Sequence, residues 1–368
     1  MLAAWGLSNG TRRLVGRRSV VLARVTGVVG TSTHTGDLRA DLVLEAGGVR
    51  GLGLVGAVAA LASAGYSFPR VAGTSAGAVT GAVVAALLRA GEPVSRLEDI
   101  SRSLDTARLR DRGRIGRALG PLGFLVDAVS LFLDRALYES RYLRSWLGGV
   151  LDDLGVHTFG DLSLTGEHIG TLAPHQRYAL VVTASDVSRR RLVRLPWDYR
   201  EYGRDPDDQR VLDAVLASAA IPFFFEPVLL RVPGGAPATL VDGAMVSSYP
   251  IALFDRTDAA PPRWPTFGVR LSPREPTQVP TRRVRGVVGL ALATVETALV
   301  GADARAFSDP CVVSRSVFVD TGDISPVDFE LSEAAREALV AGGRAAAQDF
   351  LSRWDEPAYL RHCRGVAA

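Results

Sequence analysis

One serine of the chain has the surroundings of a catalytic nucleophile. Gly73-Thr74-Ser75-Ala76-Gly77 fits the pattern G-x-S-x-G, in which the serine occupies a sharp, strained turn between a strand and a helix. The two glycines leave room for close backbone approach. The helix that follows would direct free N–H groups and its positive dipole end at a developing oxyanion. The segment therefore predicts a serine that attacks a carbonyl carbon.

The five-residue pattern alone is not specific, because Gly6-Leu7-Ser8-Asn9-Gly10 fits it as well. The surrounding sequence separates the two. A short strand is predicted at 70–72 before Ser75, and an apolar helix is predicted from Ser75 to Leu88. No strand precedes Ser8 and no apolar helix follows it, so we assign the nucleophile to Ser75.

A second motif is a glycine-rich loop at residues 45–51, Glu-Ala-Gly-Gly-Val-Arg-Gly. It follows a short apolar strand predicted at 41–45 and opens a helix predicted to run to Gly65. Consecutive glycines can turn several N–H groups into one space, which suits an oxyanion hole.

The same loop has a competing interpretation as a dinucleotide site. Gly51-Leu-Gly53-Leu-Val-Gly56 fits G-x-G-x-x-G, but that fingerprint also needs an acidic residue about 20 positions later to bind the ribose. Residues 46–91 contain neither Asp nor Glu. We therefore expect no nucleotide at this loop.

The third motif is Val241-Asp242-Gly243-Ala244, which directly follows the apolar strand residues Thr239-Leu-Val. An Asp-Gly pair at the end of a strand is a common turn, and the motif alone favours that interpretation. Its position after the other two motifs changes the interpretation, because a serine nucleophile needs a nearby base.

Taken together, a Gly-Gly-x-Arg-Gly loop, G-T-S-A-G and D-G-A in this order resemble the patatin-like phospholipase family. The likeness extends over roughly 41–255 and includes Ala217-Ser-Ala-Ala-Ile-Pro222. It implies a three-layer α/β/α sandwich with a mostly parallel central sheet. It also implies a catalytic dyad, with Ser75 as the nucleophile and Asp242 as the proton acceptor.

The resemblance assigns roles to further residues of the three motifs. Gly47 and Gly48, with Arg50 nearby, correspond to the oxyanion loop. Glycines that support the motifs stand at four positions: Gly51, Gly73, Gly77 and Gly243. The family usually has a glycine where this chain has Ala46. If that position requires a positive φ, alanine there costs about 1 kcal/mol or more.

The activity implied is that of a lipid acyl hydrolase, similar to a phospholipase A or a lysophospholipase, that forms an acyl-serine. Its substrate is a lipid or another ester, and it requires neither a metal nor an organic cofactor. Two alternatives stay open. One is an acyltransferase with the same dyad, and the other is a non-catalytic lipid-binding protein with this fold.

The histidines provide an independent check on the dyad. An ordinary α/β-hydrolase has its residues in the order Ser, acid, His along the chain. Of the five histidines (at 34, 157, 168, 175 and 362), only His362 follows Asp242, and it is the seventh residue from the end of the 368. This distribution favours a dyad over a triad.

The composition excludes several other kinds of site. The chain contains no lysine, so neither a Walker-type phosphate loop nor a Schiff-base enzyme is expected. A net charge of +3 is small for this length and predicts no nucleic-acid partner. Cys311 and Cys363 lie far apart without a Cys-x-x-Cys pair, which predicts neither a disulfide framework nor a zinc site. No apolar run reaches the ~20 residues that span a bilayer.

Short strands and apolar helices alternate from residue 41 onward. This pattern predicts a parallel sheet with right-handed crossovers, in one α/β domain over 39–368. Residues 1–38 are expected to be a loosely ordered extension. Arg17-Arg18 is too weak an export signal, so we expect a cytoplasmic protein. Further along, we predict helices at 283–305 and 331–352 and a strand at 312–319.

Residues 95–176 are predicted to form an inserted helical cap. Seven arginines (at 96, 102, 108, 110, 112, 114 and 117) accompany a strongly apolar segment at 123–137. One interpretation is a solvated charged face over an ordinary core helix. The other is an interfacial or acyl-binding cap, which predicts peripheral contact with a membrane.

Overall fold

The structure is a computed structural model. It describes residues 38–109, 140–165, 172–222, 224–256, 258, 262–273 and 309–365, with isolated positions at 284, 290, 293, 294 and 297. Three predicted features lie wholly or almost wholly outside these residues: the extension at 1–38, the apolar segment at 123–137 and the helix at 283–305.

An eight-stranded sheet forms the centre of the fold. Its strands are β2 Asp41–Leu44, β4 Val71–Thr74, β5 Leu180–Asp186, β6 Arg191–Leu195, β7 Val228–Leu230, β8 Ala238–Asp242, β9 Thr266–Arg270 and β10 Ser316–Phe318. Their order is β10-β9-β2-β4-β5-β8-β7, with β6 also beside β5. The strands from β10 to β5 are parallel, whereas β6, β7 and β8 are antiparallel to their neighbours. A separate parallel pair joins β1 Leu38–Arg39 to β3 Tyr66–Ser67.

Helices pack against this sheet, and the α/β sandwich with a mostly parallel sheet is confirmed. The helix bounds are α1 Leu52–Ser63, α2 Ala76–Arg89, α3 Arg96–Arg102, α4 Arg141–Asp153, α5 Val211–Ser218, α6 Pro310–Ser314, α7 Glu333–Arg353 and α8 Glu356–Arg364. Helix α2 contacts β2, β4 and β5, and α7 contacts α1 and β10. Of the predicted cap, α3 and α4 are described and are helical.

Glycines allow α1 and α7 to approach backbone to backbone. A Cβ on Gly56 would overlap the carbonyl oxygen of Val340, and a Cβ on Gly343 would overlap that of Gly53. This close contact explains glycines inside helices, where each is unfavourable by about 1 kcal/mol relative to alanine. It also explains why α1 is buried along most of its length, as its apolar sequence predicted.

The strand predicted at 312–319 is partly wrong. Its first residues belong to α6, because Asp309 accepts a hydrogen bond from the Cys311 N–H at 2.8 Å and Pro310 occupies the first helical position. These are signals that start a helix. The strand is limited to Ser316–Phe318. The helix predicted at 331–352 is present as α7, and α8 was not predicted.

The same region contains a disulfide that the sequence did not predict. Cys311 and Cys363 are 52 residues apart, but their Cα atoms lie 5.5 Å from each other and their sulfurs are bonded. Beside this bond, Asp255 pairs with both Arg315 and Arg364. The disulfide bond joins α6 to α8.

Candidate active site

Strand register places the predicted nucleophile and base at the same level of the sheet. Thr74 pairs with Thr183 on β5, and the next residue of β5, Ala184, pairs with Asp242 on β8. Ser75 directly follows Thr74, so it faces Asp242 across β5. The Ser75 Oγ donates a hydrogen bond to Asp242 Oδ2 at 2.6 Å.

The turn at Ser75 has the geometry that its motif predicts. Ser75 has φ 54° and ψ −118°, and apart from Arg190 it is the one non-glycine residue with positive φ in the described chain. Such a backbone is unfavourable by about 1–3 kcal/mol. A Cβ on Gly73 would overlap the carbonyl of Gly77, and a Cβ on Gly77 would overlap that of Leu44. The flanking glycines are therefore required by space.

The segment after α5 holds both members of the pair through their backbone. Ser218 Oγ accepts a hydrogen bond from the Ser75 N–H at 2.8 Å, and Ala220 O accepts one from the Asp242 N–H at 2.9 Å. Ala217–Pro222 belongs to the stretch that resembles the family, but its sequence assigned no role to Ser218. No local pattern in the sequence marks Ser218 as a partner of Ser75.

Asp242 is buried, with 1% of its surface exposed. Its Oδ1 accepts the Ala244 N–H at 2.9 Å while Oδ2 accepts the Ser75 hydroxyl. Burial raises the pKa of Asp242 to about 7, although both hydrogen bonds act to lower it. A carboxylate with this pKa is a much stronger base than one in water, and near pH 7 a large fraction of it is ionised.

The glycine loop lies against the elbow. Gly48 has φ +54° and its Cβ position is filled by the carbonyl of Pro326, so glycine is required there twice over. A Cβ on Gly51 would stand 2.7 Å from the Cβ of Ala76, which shows how closely the loop approaches the serine. Gly48 and Ala76 both begin helical segments, so their N–H groups have no acceptor within their helices.

Ala46, which stands where the family usually has a glycine, has no strained backbone. It is not among the residues with positive φ, and its N–H donates to Ser248 O at 2.9 Å. Gly47 has an extended φ of 178°, and its Cβ position is filled by the side chain of Leu271. Alanine at 46 is therefore compatible with the backbone of the loop.

Arg50 contacts the loop rather than the serine. Its Nε donates to Gly47 O at 3.4 Å, and burial lowers the pKa of its guanidinium. Glu45, at the start of the loop, accepts from Arg270 at 2.9 Å and from the Leu271 N–H at 2.5 Å. These contacts brace the loop against the end of β9.

Gly243 completes the four supporting glycines. A Cβ there would overlap the carbonyl of Thr183 on the neighbouring strand. Each of Gly51, Gly73, Gly77 and Gly243 therefore stands where another backbone or a Cβ approaches too closely for a side chain.

None of the described histidines contacts the serine or the aspartate. His157 is exposed and lies 3.0 Å from Asp152, and the exposed His362 contacts Ala358 O at 2.7 Å. His175 packs edge-on against Trp197. His34 and His168 lie outside the described residues. Within the described residues no group of three or more His, Cys, Asp or Glu side chains is arranged to hold a metal ion.

Ser75 lines an apolar cavity of about 110 Å³. Its walls come mainly from α2, α3, α4 and the loop after α5: Val79, Val83, Leu97, Ile100, Leu143 and Phe225. The hydroxyls of Thr80 and Ser101 also line it, but they donate to the backbone oxygens of Ala76 and Glu98 at 3.0 and 2.7 Å. The cavity therefore presents a hydrocarbon-like surface.

Comparison with known proteins identifies the family. A family model described as patatin-like phospholipase matches residues 42–255, more than half of the chain. The chain belongs to the patatin-like phospholipase family. This confirms the resemblance of the three motifs, all of which lie within the matched residues.

One similar protein is the uncharacterized protein YqhO of Bacillus subtilis (strain 168). It is 32% identical over 314 residues, which cover 85% of this chain and 98% of YqhO. Solved structures similar to this chain include VipD from Legionella pneumophila, with 17% identity and a TM-score of 0.46, and the type III effector ExoU, with 18% and 0.42. The alignments cover 85% and 86% of this chain, but only 66% of VipD and 53% of ExoU.

Membership of the patatin-like phospholipase family supports a lipid as the substrate and hydrolysis as the general reaction. Among the described residues, no helix is both long enough and apolar enough to cross a membrane.

Proposed function

We propose that this patatin-like protein is a serine acyl hydrolase that cleaves lipid esters with a Ser75–Asp242 dyad. The observation that carries the proposal is the 2.6 Å hydrogen bond to a buried carboxylate from the hydroxyl of Ser75, a residue that lines an apolar cavity. A nucleophile hydrogen-bonded to its base, beside a site for the substrate, is the arrangement that acyl transfer requires.

In the first step Ser75 Oγ attacks the ester carbonyl carbon while its proton passes to Asp242 Oδ2. The pKa of Asp242, raised to about 7 by burial, makes this transfer far less uphill than transfer to a solvated carboxylate. The tetrahedral intermediate then collapses. The alcohol leaves with the proton from Asp242, and an acyl-serine remains.

The negative charge on the carbonyl oxygen needs donors in a fixed position. The N–H groups of Gly48 and Ala76 are the best candidates, because both lack an acceptor in their helices and both residues line the cavity with Ser75. The Ser75 N–H is already bound to Ser218 Oγ. Arg50 would act indirectly, through its contact with Gly47 O.

Water then attacks the acyl-serine with Asp242 as the general base, which releases the fatty acid and restores the dyad. The acyl chain would occupy the cavity beside α2, where its burial is favourable by ~0.8 kcal/mol per methylene. If an alcohol entered in place of water, the same intermediate would transfer the acyl group. Contact with a membrane through the arginine-rich part of the cap belongs to this proposal as a prediction from the sequence.

The test is labelling by a fluorophosphonate together with hydrolysis of a panel of lipid esters. We expect wild type and Ser8→Ala to be labelled and active, and Ser75→Ala to be neither. A Ser75→Ala protein that still hydrolyses the esters would contradict the proposal. An added lysolipid or alcohol acceptor distinguishes transfer from hydrolysis by its acylated product.

A further inference from the structure

We propose that Ser218 is a positioning residue for the dyad, and that its hydroxyl fixes the strained turn of Ser75 so that Ser75 Oγ remains on Asp242. The inference rests on the proposed function, since it concerns how the same two residues are held. Ser218 is the last residue of α5 and is fully buried, with 0% of its surface exposed.

The strained turn leaves the Ser75 N–H without an acceptor in the sheet, and Ser218 provides one. The paired register of β4 and β5 ends at Thr74 and Thr183, so the Ser75 N–H has left the ladder of the sheet. The group is buried, and a buried N–H without an acceptor is strongly unfavourable. Ser218 Oγ supplies that acceptor at 2.8 Å. It is a side-chain atom, so a single substitution can remove it.

The same short segment also holds the base. Two residues after Ser218, Ala220 O accepts the Asp242 N–H at 2.9 Å. The segment Ser218–Ala220 therefore contacts both members of the dyad through their backbone N–H groups, and it sets the distance between them. The hydrogen bond to Ala220 O involves only main-chain atoms, so a side-chain substitution does not remove it. The hydrogen bond to the Ser218 hydroxyl can be removed by substitution and is therefore the one that can be tested.

Loss of the hydroxyl would act on the chemical step rather than on substrate binding. Ser218 does not line the apolar cavity, although its neighbours Ala219 and Ile221 do. An unanchored turn would let Ser75 Oγ leave Asp242 and would alter the direction of the Ala76 N–H. Both changes weaken the transition state and leave the acyl site intact, so kcat should fall while KM changes little.

The experiment compares Ser218→Ala with a matched control, Ser316→Ala. Ser316 is also buried (1% exposed), and its hydroxyl contacts Tyr249 at 2.7 Å and Val312 O at 2.6 Å, away from the dyad. We expect Ser218→Ala to lower kcat 10- to 100-fold with KM within about twofold. Labelling by a fluorophosphonate should slow by a similar factor. Ser316→Ala should lower the melting temperature comparably but keep kcat within about twofold.

A pH profile separates positioning from general destabilisation. The hydrogen bond from Ser75 lowers the pKa of Asp242, so loosening it should move the midpoint of the kcat/KM profile upward in Ser218→Ala and not in Ser316→Ala.

A second pair of variants at position 218 keeps the test valid if Ser218→Ala does not fold. Ser218→Thr keeps a hydroxyl, whereas Ser218→Val has the same shape without one, so Thr should retain at least tenfold more kcat than Val.

Equal kcat for the Thr and Val variants, or wild-type kcat and midpoint for Ser218→Ala, would overturn the role of Ser218. If Ser75→Ala is inactive in the same assays, the proposed function would stand despite that result. An active Ser75→Ala would instead remove the proposed function itself, whatever Ser218 does.

Discussion

The dyad and the acyl cavity meet at Ser75, yet they are built in different ways. Around the dyad, positions are set by backbone approaches that exclude any side chain, as at Gly48, Gly73 and Gly243, and by hydrogen bonds of 2.6–2.9 Å. The cavity is set by apolar side chains such as Val79, which contact a space of about 110 Å³. The first region specifies a geometry, and the second specifies a volume. Substitutions should therefore act almost all-or-none in the first and gradually in the second.

The largest effect is expected for the base. Asp242→Asn keeps the shape of the side chain but cannot accept the Ser75 proton, so activity should fall as far as in Ser75→Ala, by about 10³-fold or more. Steady-state hydrolysis of a chromogenic ester measures this. Because the variant keeps its packing, it should still fold and show a cooperative thermal unfolding transition.

The matched controls are the five histidines, each changed to alanine. Each should change the rate by less than about threefold, which is a barrier change below 1 kcal/mol. A histidine variant as inactive as Ser75→Ala, yet melting like the wild type, would indicate a triad and contradict the proposed mechanism.

The next largest effect should distinguish two neighbours in the glycine loop. Gly48→Ala forces a left-handed residue to carry a Cβ where the Pro326 carbonyl stands, which should displace the Gly48 N–H. We expect kcat/KM to fall about 100-fold, as when one oxyanion donor is removed. Ala46→Gly should stay within about twofold, because Ala46 has no positive φ to relieve. Comparable losses in the two variants would show that the loop does not bind the oxyanion through Gly48.

A smaller and graded effect is expected in the cavity. Val83 lines it on α2, eight residues after Ser75 and so ~12 Å along the helix axis. Val83→Phe should lower kcat/KM for long-chain esters about tenfold relative to short-chain ones, and Val83→Ala should favour longer chains. A series of p-nitrophenyl esters of increasing chain length measures this. An unchanged profile in both variants would place the acyl chain elsewhere.

The sequence predicted those parts of the site that depend on local backbone. The elbow at Ser75, the glycine loop and the Asp-Gly turn each need small residues at fixed spacing, and those patterns are visible without a structure. The alternation of strands and apolar helices likewise predicted the parallel part of the sheet. The order of the three motifs, rather than any one of them, indicated that they meet.

Contacts between distant segments could not be predicted. Ser218 reaches Ser75 across 143 residues, and Cys311 reaches Cys363 across 52, with no local pattern to mark either pair. The first part of the strand predicted at 312–319 is wrong for a different reason. The β-branched residues in this segment favoured a strand, whereas Asp309 and Pro310 form a helix start that the prediction did not take into account.

The smallest effect expected is on stability, and it follows from the burial of Asp242. Its pKa is about 7 in the folded protein and near 3.8 without burial, so between these values the folded state holds a proton that the unfolded state has lost. Stability from this group is therefore complete below about pH 4 and is lost as the pH rises through 7, by at most ~4 kcal/mol. Asp242→Asn cannot ionise and escapes that loss. Its melting temperature relative to the wild type should rise by several degrees between pH 5 and pH 8. All other titrating groups are shared, so an equal difference at both pH values would mean that Asp242 is not a buried base.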